Sequence, residues 1–276
     1  MEKLCRVLGV SRTGYYAWRK QPVSARAKRD EEILAQIRLI YAENKRRYGS
    51  PRVYETLKEE GCCVGRKRVE RLMREGGLIA RAARKYRVTT DSSHQREPTP
   101  DLVVRNFAVS VPDTVWVGDI TYLWTSEGWM YLAVFIDLYS RLVVGWALDT
   151  RLTASLVLEA FTRASMRRNP SPGLIVHTDR GIQYASDSFV QALRRVGARQ
   201  SMSPKGDCWS NAVAESFFHS FKVEAIYGET FETRRKMEYE VFDYIERFYN
   251  RTRKHSVLGY QSPLKFEERG NPKAAA

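Results

Sequence analysis

Residues 115–148 read VWVGDITYLWTSEGWMYLAVFIDLYSRLVVGWAL and carry the strongest strand pattern of the chain. Apolar, aromatic and β-branched residues dominate it, and short turns divide it into three segments. The segments cover residues 115–124, 128–139 and 141–148. Such spacing predicts three strands in an antiparallel meander.

Helix and strand patterns alternate after this meander. The helical patterns cover 153–167, 187–197 and 211–227, and the strand patterns cover 174–179 and 198–203. A meander followed by alternating helices and strands predicts an α/β fold, with a mixed five-stranded sheet flanked by helices. An amphipathic pattern over 232–250 predicts one more helix. Four tryptophans of this region are expected to pack in the core: Trp116, Trp124, Trp129 and Trp146.

The net charge of +14 is distributed unevenly along the 276 residues. Residues 1–98 hold 24 Lys and Arg against 12 Asp and Glu, whereas residues 99–276 hold 22 against 20. A basic first third beside a nearly neutral remainder favours binding to nucleic acid over simple solubility or binding to an acidic protein. Apolar runs are too short to span a membrane, and four cysteines without a CxxC pair indicate a reducing, cytoplasmic setting.

Two helix-turn-helix patterns occupy the basic front. In the first, Gly9 allows a left-handed turn and Ser11 caps a second helix, which begins at Arg12. A helical pattern over 30–44 follows, and the second helix-turn-helix pattern then consists of a helix that starts at Ser50 and Pro51 and a basic helix over 66–75. Four basic side chains of that helix are expected to face outward, where they could enter the DNA major groove: Arg66, Lys67, Arg68 and Arg71. Two helical hairpins with solvated basic faces are the alternative.

Three acids stand out by their positions. Asp119 interrupts a segment that is otherwise apolar or β-prone, Asp179 closes a strand pattern, and Glu215 lies early in a helix. Each acid alone has an ordinary explanation, because aspartate often forms turns at strand ends and glutamate is a good helix former. The helical repeat also places Glu215 on a polar stripe opposite an apolar face. The stripe consists of Asn211, Glu215, His219 and Lys222, and the apolar face of Ala214, Phe217, Phe221 and Ala225.

The three acids would form a cation site if they met at the C-terminal edge of the sheet, where α/β folds tend to bind their ligands. Two carboxylates about 4 Å apart repel by about 4 kcal/mol at an effective dielectric of about 20. Such a cluster takes up protons or binds cations, and oxygen ligands favour Mg²⁺ or Mn²⁺ over zinc. Two such ions form the clamp that supports in-line displacement at phosphorus. Together with the basic front, this chemistry predicts phosphoryl transfer on DNA.

Three segments of the chain resemble the acid motifs of integrase-like transposases: WVGDITYLWT, HTDRGIQYAS and NAVAESFFHSFKVE. The order is Asp119, then Asp179, then Glu215 after 35 intervening residues, with Lys222 seven positions later, as in the Asp-Asp-Glu pattern of the retroviral integrase superfamily. The LGVSRTGYYAW, RRYGSPRV and YNRTRKHSVLGYQSPLKFE segments resemble one branch, the second reading frame of transposases from the insertion-sequence family numbered three. The resemblance covers residues 4–268.

The resemblance implies an RNase H-like core in which Asp119, Asp179 and Glu215 hold two divalent metals, Mg²⁺ or Mn²⁺. It implies strand cleavage and strand transfer at the terminal inverted repeats of the element, followed by insertion into target DNA. At least a dimer is expected on DNA, because two ends must be held together. Members of this branch are often fused by frameshifting to an upstream helix-turn-helix and leucine-zipper segment. No zinc is expected, because no histidine precedes His94 and the front lacks a zinc-binding pattern.

Five further residues near the motifs are expected to contact DNA or to support the site. Lys222 is expected to reach a phosphate, although a plain helix-face lysine is the alternative, and for His219 a surface or packing role is equally open. His177 is expected to support the strand end or the DNA, and Gly181 to turn the chain away so that metal and DNA have room. Asn211 completes this set. The motif before Glu215 departs from many relatives in having Asp207 and Ser210, and the added acid puts DNA or metal contacts there in doubt.

The predicted division has five parts. They are a helix-turn-helix segment at 1–22, a second helical DNA-binding domain at 23–87, a linker at 88–111, the catalytic core at 112–228, and a C-terminal helix and tail at 229–276. Two other functions stay open: a nuclease or resolvase of the same fold without strand transfer, and a catalytically inactive DNA-binding regulator. A cytoplasmic protein associated with the nucleoid is expected in the transposase case.

Overall fold

The computed structural model describes residues 1–20, 23–81, 101–102, 109–203 and 211–270. The chain forms two compact units, Met1–Arg81 and the remainder. Most of the predicted linker, and both Asp207 and Ser210, lie outside the described residues. No helix within the described ranges is long and apolar enough to cross a membrane.

The first unit begins with two short helices, α1 (Glu2–Val7) and α2 (Arg12–Arg19). Gly9 adopts a left-handed conformation with φ of 64°, and the Ser11 hydroxyl accepts a hydrogen bond from the Gly14 amide. Both features match the predicted turn and cap. The apolar side chains Leu4 and Leu8 are nevertheless exposed, and Cys5 is the buried residue of α1.

Three longer helices complete the unit: α3 (Ala25–Glu43), α4 (Ser50–Glu59) and α5 (Arg66–Glu75). Helix α3 starts five residues earlier than predicted, because the Ser24 hydroxyl caps it by accepting from the Ala27 amide. Their apolar stripes pack together as expected. The buried residues are Ile33, Ile37, Ile40, Val53, Leu57, Val69, Leu72 and Met73.

The second unit is built on a five-stranded sheet with the order β3-β2-β1-β4-β5. The strands are β1 (Val115–Thr125), β2 (Gly128–Asp137), β3 (Val143–Asp149), β4 (Ile175–Thr178) and β5 (Arg199–Met202). The first three strands pair antiparallel, as the meander predicted, whereas β4 pairs parallel to β1 and β5 parallel to β4. The predicted mixed sheet is therefore confirmed.

Helices cover the sheet and extend its core. They are α6 (Ala154–Arg168), α7 (Asp187–Arg195), α8 (Ala212–Phe221), α9 (Arg234–Phe242) and α10 (Pro263–Gly270). Both α8 and α9 continue as π-helical segments, Lys222–Ile226 and Asp243–Tyr249. The sequence predicted the first four helices within a few residues, but it predicted neither the π-helical turns nor α10.

The prediction that the four tryptophans pack in the core is correct for Trp116 and wrong for Trp124 and Trp129. Trp116 is fully buried in the core between the sheet and α6. Trp124 and Trp129 are 57% and 50% exposed, and they pair across the outer end of the β1–β2 hairpin with ring centroids 4.9 Å apart. Trp146 lies between these cases and donates its indole N–H to Glu246. The β1–β2 hairpin extends beyond β3, because the pairing of β2 with β3 ends at Tyr131. Trp124 and Trp129 lie in this extension, where β3 no longer accompanies the hairpin.

Asn250 protects the outer edge of the sheet. Strand β3 is an edge strand, so its outward amides and carbonyls lack a strand partner. The Asn250 side chain accepts from the Val143 amide and donates to the Val143 carbonyl, both at 3.0 Å. Only 2% of Asn250 is exposed. The side chain thus replaces a neighbouring strand and fixes the end of α9 on the sheet.

Replacing Asn250 with alanine should destabilise the second unit. The substitution leaves the buried Val143 amide and carbonyl without partners, and each such group costs about 1–3 kcal/mol. Thermal unfolding should therefore show a clear fall in the melting temperature, with secondary structure retained at low temperature. An unchanged melting temperature would contradict the role assigned to this side chain.

Candidate functional site

Strand pairing brings two of the predicted acids side by side. Gly118 of β1 pairs in register with Thr178 of β4, and the strands run parallel. Asp119, inside β1, and Asp179, directly after the end of β4, each follow one residue later, and both are half-buried. Adjacent strands lie about 4.8 Å apart. The two carboxylates are therefore neighbours although 59 residues separate them in sequence.

Gly118 lets the strands approach closely in front of Asp119. A methyl group on Gly118 would lie 2.6 Å from a ring carbon of Phe135 and 3.1 Å from the Thr178 methyl group. Such distances are too short for non-bonded carbon atoms. Sequence reasoning missed this residue, although a glycine within a strand pattern is a signal of close approach.

Gly181 contacts the Asp179 carboxylate directly. Its amide donates to Asp179 Oδ1 at 3.0 Å, and a methyl group at this position would lie 3.0 Å from the same oxygen. The backbone of Gly181 is not in the left-handed region. Gly181 thus leaves lateral space for Asp179 and for Gln183, whose Oε1 atom would lie 2.9 Å from the methyl group, and it does not serve a left-handed turn of the chain.

Helix α8 carries Glu215 in its first turn and is attached to β1 at its start. The Asn211 amide group donates to the Gly118 carbonyl at 3.3 Å, immediately before Asp119. Asn211 is buried, whereas Glu215 and His219, one and two turns farther on, are exposed. Lys222 is half-buried at the start of the π-helical turn. The opposite face is buried as expected, through Ala214, Phe217, Phe221 and Ala225.

A buried ion pair holds the far end of α8. Arg253 makes two hydrogen bonds of 2.7 Å to the Glu224 carboxylate, which also accepts from the Tyr244 hydroxyl at 2.8 Å. All three residues are less than 10% exposed. Removing one member would leave a buried charge without compensation, which typically costs about 3–5 kcal/mol. The late YNRTRKH segment thereby fixes the π-helical turn that bears Lys222.

The charges of the site are coupled. Burial raises the pKa of Asp119 to about 8, and Asp179 and Glu215 add to the rise, whereas the Ile120 amide and Lys222 oppose it. Partial burial raises the pKa of Glu215. Burial lowers the pKa of Lys222, and Asp119 counteracts this effect. The three acids and the lysine therefore share one electrostatic environment.

The oxygen-rich site suits a divalent cation in charge and donor chemistry. Asp119 is ionised with difficulty, first because it is buried and then because Asp179 and Glu215 lie near it, and a bound cation would favour its ionised form. Asn211 Oδ1 is also buried and has no hydrogen-bond partner among the described residues. Across those residues, no three His, Cys, Asp or Glu side chains converge closely enough to form a preformed metal site. Binding would thus require the acids, above all the exposed Glu215, to close further.

His177 lies behind the acids and joins two strands. Its ring nitrogens contact the hydroxyl oxygens of Ser201 and Ser203 at 2.8 and 3.0 Å, and the ring is fully buried. Nδ1 also lies 3.8 Å from the Asp101 carboxylate. These contacts support β4 against β5, which agrees with support of the strand end and not with contact to DNA.

The four basic side chains of α5 that were predicted to bind DNA fall into two pairs. Arg66 and Lys67 are exposed. Arg68 and Arg71 do not point freely outward, because both bind Asp30 of α3, at 2.6 and 2.8 Å. These bonds lower the pKa of Asp30. The arginines thus attach α5 to α3. In the first segment of the unit, the exposed Arg12 lies 3.8 Å from Glu2.

Comparison with known proteins assigns both units. An HTH-like domain model matches residues 28–86, and two integrase core domain models match residues 110–208 and 215–270. The chain is 43% identical to transposase InsF for insertion sequence IS3A from Escherichia coli strain K12, over 98% of this chain and 94% of the relative. It is 39% identical to a 31 kDa protein of insertion element IS600 from Shigella sonnei, over 99% of this chain and 100% of the relative.

Among solved structures, the chain is similar to a chain of the simian T-cell lymphotropic virus intasome in complex with PP2A regulatory subunit B56 gamma. Its matched chain has 15% sequence identity and a TM-score of 0.49, with coverage of 84% of this chain and 74% of that chain. The integrase core models, together with the mixed sheet, confirm the predicted fold class.

The raised pKa of Asp119 predicts how the stability of the metal-free protein depends on pH. The folded chain keeps this proton up to about pH 8, whereas the unfolded chain loses it near 3.8. The unfolded chain therefore binds fewer protons in this window, and stability should fall as the pH rises through it. Asp119→Asn removes the titrating group, so the variant should unfold at a higher temperature than wild type near pH 8.

Thermal unfolding in a chelator, from about pH 5 to about pH 8, measures this effect. The matched control is Asp187→Asn, which changes an exposed aspartate of α7 and should keep the wild-type decline. If the melting temperature of Asp119→Asn fell with rising pH as much as that of wild type, Asp119 would not be the group that holds the proton.

Proposed function

The chain belongs to the transposase family of insertion sequence IS3, and on this premise we propose that Asp119, Asp179 and Glu215 form a two-metal site that cuts and joins DNA strands at insertion-sequence ends. The protein is a transposase with an integrase core and an HTH-like DNA-binding domain. The metal stoichiometry, the residue roles and the DNA contacts are the proposed part.

The register of β1 and β4 is the observation that carries this proposal. It places Asp119 beside Asp179, and the electrostatic effect of Glu215 on Asp119 extends the cluster to α8. Lys222 belongs to the same environment. Two aspartates on neighbouring strands, with Glu215 and Lys222 near enough to affect the pKa of Asp119, would supply cation ligands and a contact for a phosphate group.

Each residue has a distinct task in the proposed reaction. Bound Mg²⁺, or Mn²⁺ in its place, supplies Lewis-acid charge at the phosphorus and a more acidic attacking hydroxyl group. Asp119, Asp179 and Glu215 would hold the two ions through oxygen atoms. The Lys222 ammonium group would neutralise a neighbouring phosphate, and the exposed His219 could contact the DNA backbone from the same helix face. Asn211 keeps α8 against β1, so that Glu215 stays opposite the aspartates.

The helical unit would bring the DNA to the protein. Arg66 and Lys67 at the start of α5 are exposed and can contact DNA, and Arg12 offers a further cation on α2. Arg68 and Arg71 are proposed to orient α5 through Asp30 instead of binding phosphates themselves. The net charge of the chain supports such binding, because nucleic acid is a polyanion.

The assembly follows from the task of joining two ends. At least two copies are proposed to act together on the terminal inverted repeats and the target DNA. Association with an upstream helix-turn-helix and leucine-zipper segment also stays a proposal, as does action in the cytoplasm at the nucleoid. The predicted domain limits are proposed as working boundaries for these functions.

Asp179→Asn should abolish strand joining while leaving DNA binding intact. The substitution removes a negative charge from the metal site, whereas Asp179 belongs to the integrase core and not to the helical unit. Labelled insertion-sequence ends, incubated with protein and Mg²⁺, report joined products by electrophoresis, and a gel-shift assay reports binding. Asp187→Asn serves as the matched control and should join normally.

Three outcomes of this assay would contradict parts of the proposal. Full joining by Asp179→Asn would refute the metal assignment. Wild-type cleavage without joined products would indicate a nuclease of the same fold, and binding without either reaction would indicate a regulator.

Salt dependence separates the two pairs of basic residues on α5. Each neutralised phosphate contributes about 0.9 to the log–log slope of affinity against salt. Lys67→Ala should reduce this slope by about 0.9, the contribution of one phosphate contact, and should leave the melting temperature unchanged. Arg71→Ala should instead lower the melting temperature, because it breaks the bonds to Asp30 and Glu75. Equal losses of slope in both variants, without destabilisation, would contradict the structural role of Arg71.

A further inference from the structure

The Tyr184 side chain is buried, and its hydroxyl group has no partner among the described residues. The residue is 1% exposed. Its ring packs in the core against Phe135 and Phe189, with centroids 6.4 and 5.5 Å apart. A phenylalanine would make the same ring contacts without burying an unsatisfied polar group. An orphaned buried hydroxyl destabilises a fold, so its presence calls for a functional explanation.

The backbone fixes the position of this ring independently of the hydroxyl group. The Tyr184 amide donates to the Gly181 carbonyl at 3.0 Å, and the Tyr184 carbonyl accepts from the Gln200 side chain at 2.7 Å. Both bonds are unaffected by removal of the phenolic oxygen. The hydroxyl group is therefore held in a defined place by contacts other than its own.

The Tyr184 ring lies next to the turn that bears Asp179. A methyl group built on Gly181 would lie 2.9 Å from Gln183 Oε1, 3.0 Å from Asp179 Oδ1 and 3.5 Å from the Cδ2 edge of the Tyr184 ring. The pKa of Tyr184 is raised well above its ordinary value, first by burial and then by Asp179 and Asp119. Thus the same turn, DRGIQY, carries the acid, the Gly181 amide bound to it and the unpartnered hydroxyl group.

We propose that Tyr184 is a positioning residue whose hydroxyl group donates a hydrogen bond to the Asp179 carboxylate when the acids close around divalent cations. This inference rests on the proposed function. The Gly181 amide and the Tyr184 hydroxyl group would then restrain Asp179 from two directions and leave its remaining lone pairs for the cation. Hydrogen bonds of this kind orient metal-binding side chains and raise metal affinity.

The test compares wild type, Tyr184→Phe and the control Tyr131→Phe. Tyr131 is a partly buried tyrosine of β2 that packs against the same core, with its ring next to Tyr122. The full-length proteins are unfolded thermally in a chelator and in a series of Mg²⁺ concentrations, and strand joining is measured over the same series.

Tyr184→Phe should unfold in chelator at the wild-type temperature or above it, because an unsatisfied group is removed. Its Mg²⁺-dependent stabilisation and its joining activity should each require an Mg²⁺ concentration at least about 10-fold higher than wild type requires. Excess Mg²⁺ should restore joining. Tyr131→Phe should retain the wild-type Mg²⁺ requirement.

Two results would overturn the inference. One is a Tyr184→Phe variant with the wild-type Mg²⁺ requirement, which would make the tyrosine an ordinary core residue. The other is a lower melting temperature of this variant in chelator, which would reveal a structural partner for the hydroxyl group. Wild-type protein that shows no Mg²⁺-dependent joining would instead refute the proposed function, so the two failures are distinguishable.

Discussion

The in-register parallel pairing of β1 with β4 is the constraint on which the site depends. It aligns Gly118 with Thr178, and the next residue of each strand is an aspartate. The absence of a side chain at Gly118 permits the close approach of Phe135 and Thr178 around it. A shift by one residue would turn one aspartate to the opposite face of the sheet. The two carboxyl groups are thereby held side by side by backbone hydrogen bonds, and burial together with the proximity of Asp179 raises the pKa of Asp119.

The third acid depends on segments that are distant in sequence. Asn211 attaches the start of α8 to the Gly118 carbonyl, and Arg253 binds Glu224 beyond its end. Asn250, in the same late segment as Arg253, covers the edge strand β3. The C-terminal part of the chain thus stabilises both the sheet and the helix that bears Glu215. The exposed position of Glu215 would allow it to approach a cation held by the two aspartates, as the proposed function requires.

The sequence was sufficient for the strands, most helices and the candidate acids, because alternation, caps and strand ends are local signals. Contacts between distant segments were not accessible to it. The attachment of Arg68 and Arg71 to Asp30 depends on how α5 packs on α3. The exposure of Trp124 and Trp129 depends on how far the β1–β2 hairpin extends. Helix α10 is short, and the π-helical turn at Lys222 coincides with the buried ion pair of Glu224. Tyr184 looks like an ordinary aromatic core residue until its hydroxyl group proves to be unpartnered.

The most direct test of the account is to locate Mn²⁺ by anomalous scattering in crystals of the protein. The account predicts bound ions at the edge of β1 and β4, with carboxylate oxygens of Asp119, Asp179 and Glu215 at coordination distances of about 2.0–2.2 Å. It also predicts that Glu215 moves towards the aspartates when the ions bind. Mn²⁺ bound elsewhere, or bound at this edge without Asp119 and Asp179 as ligands, would contradict the central claim.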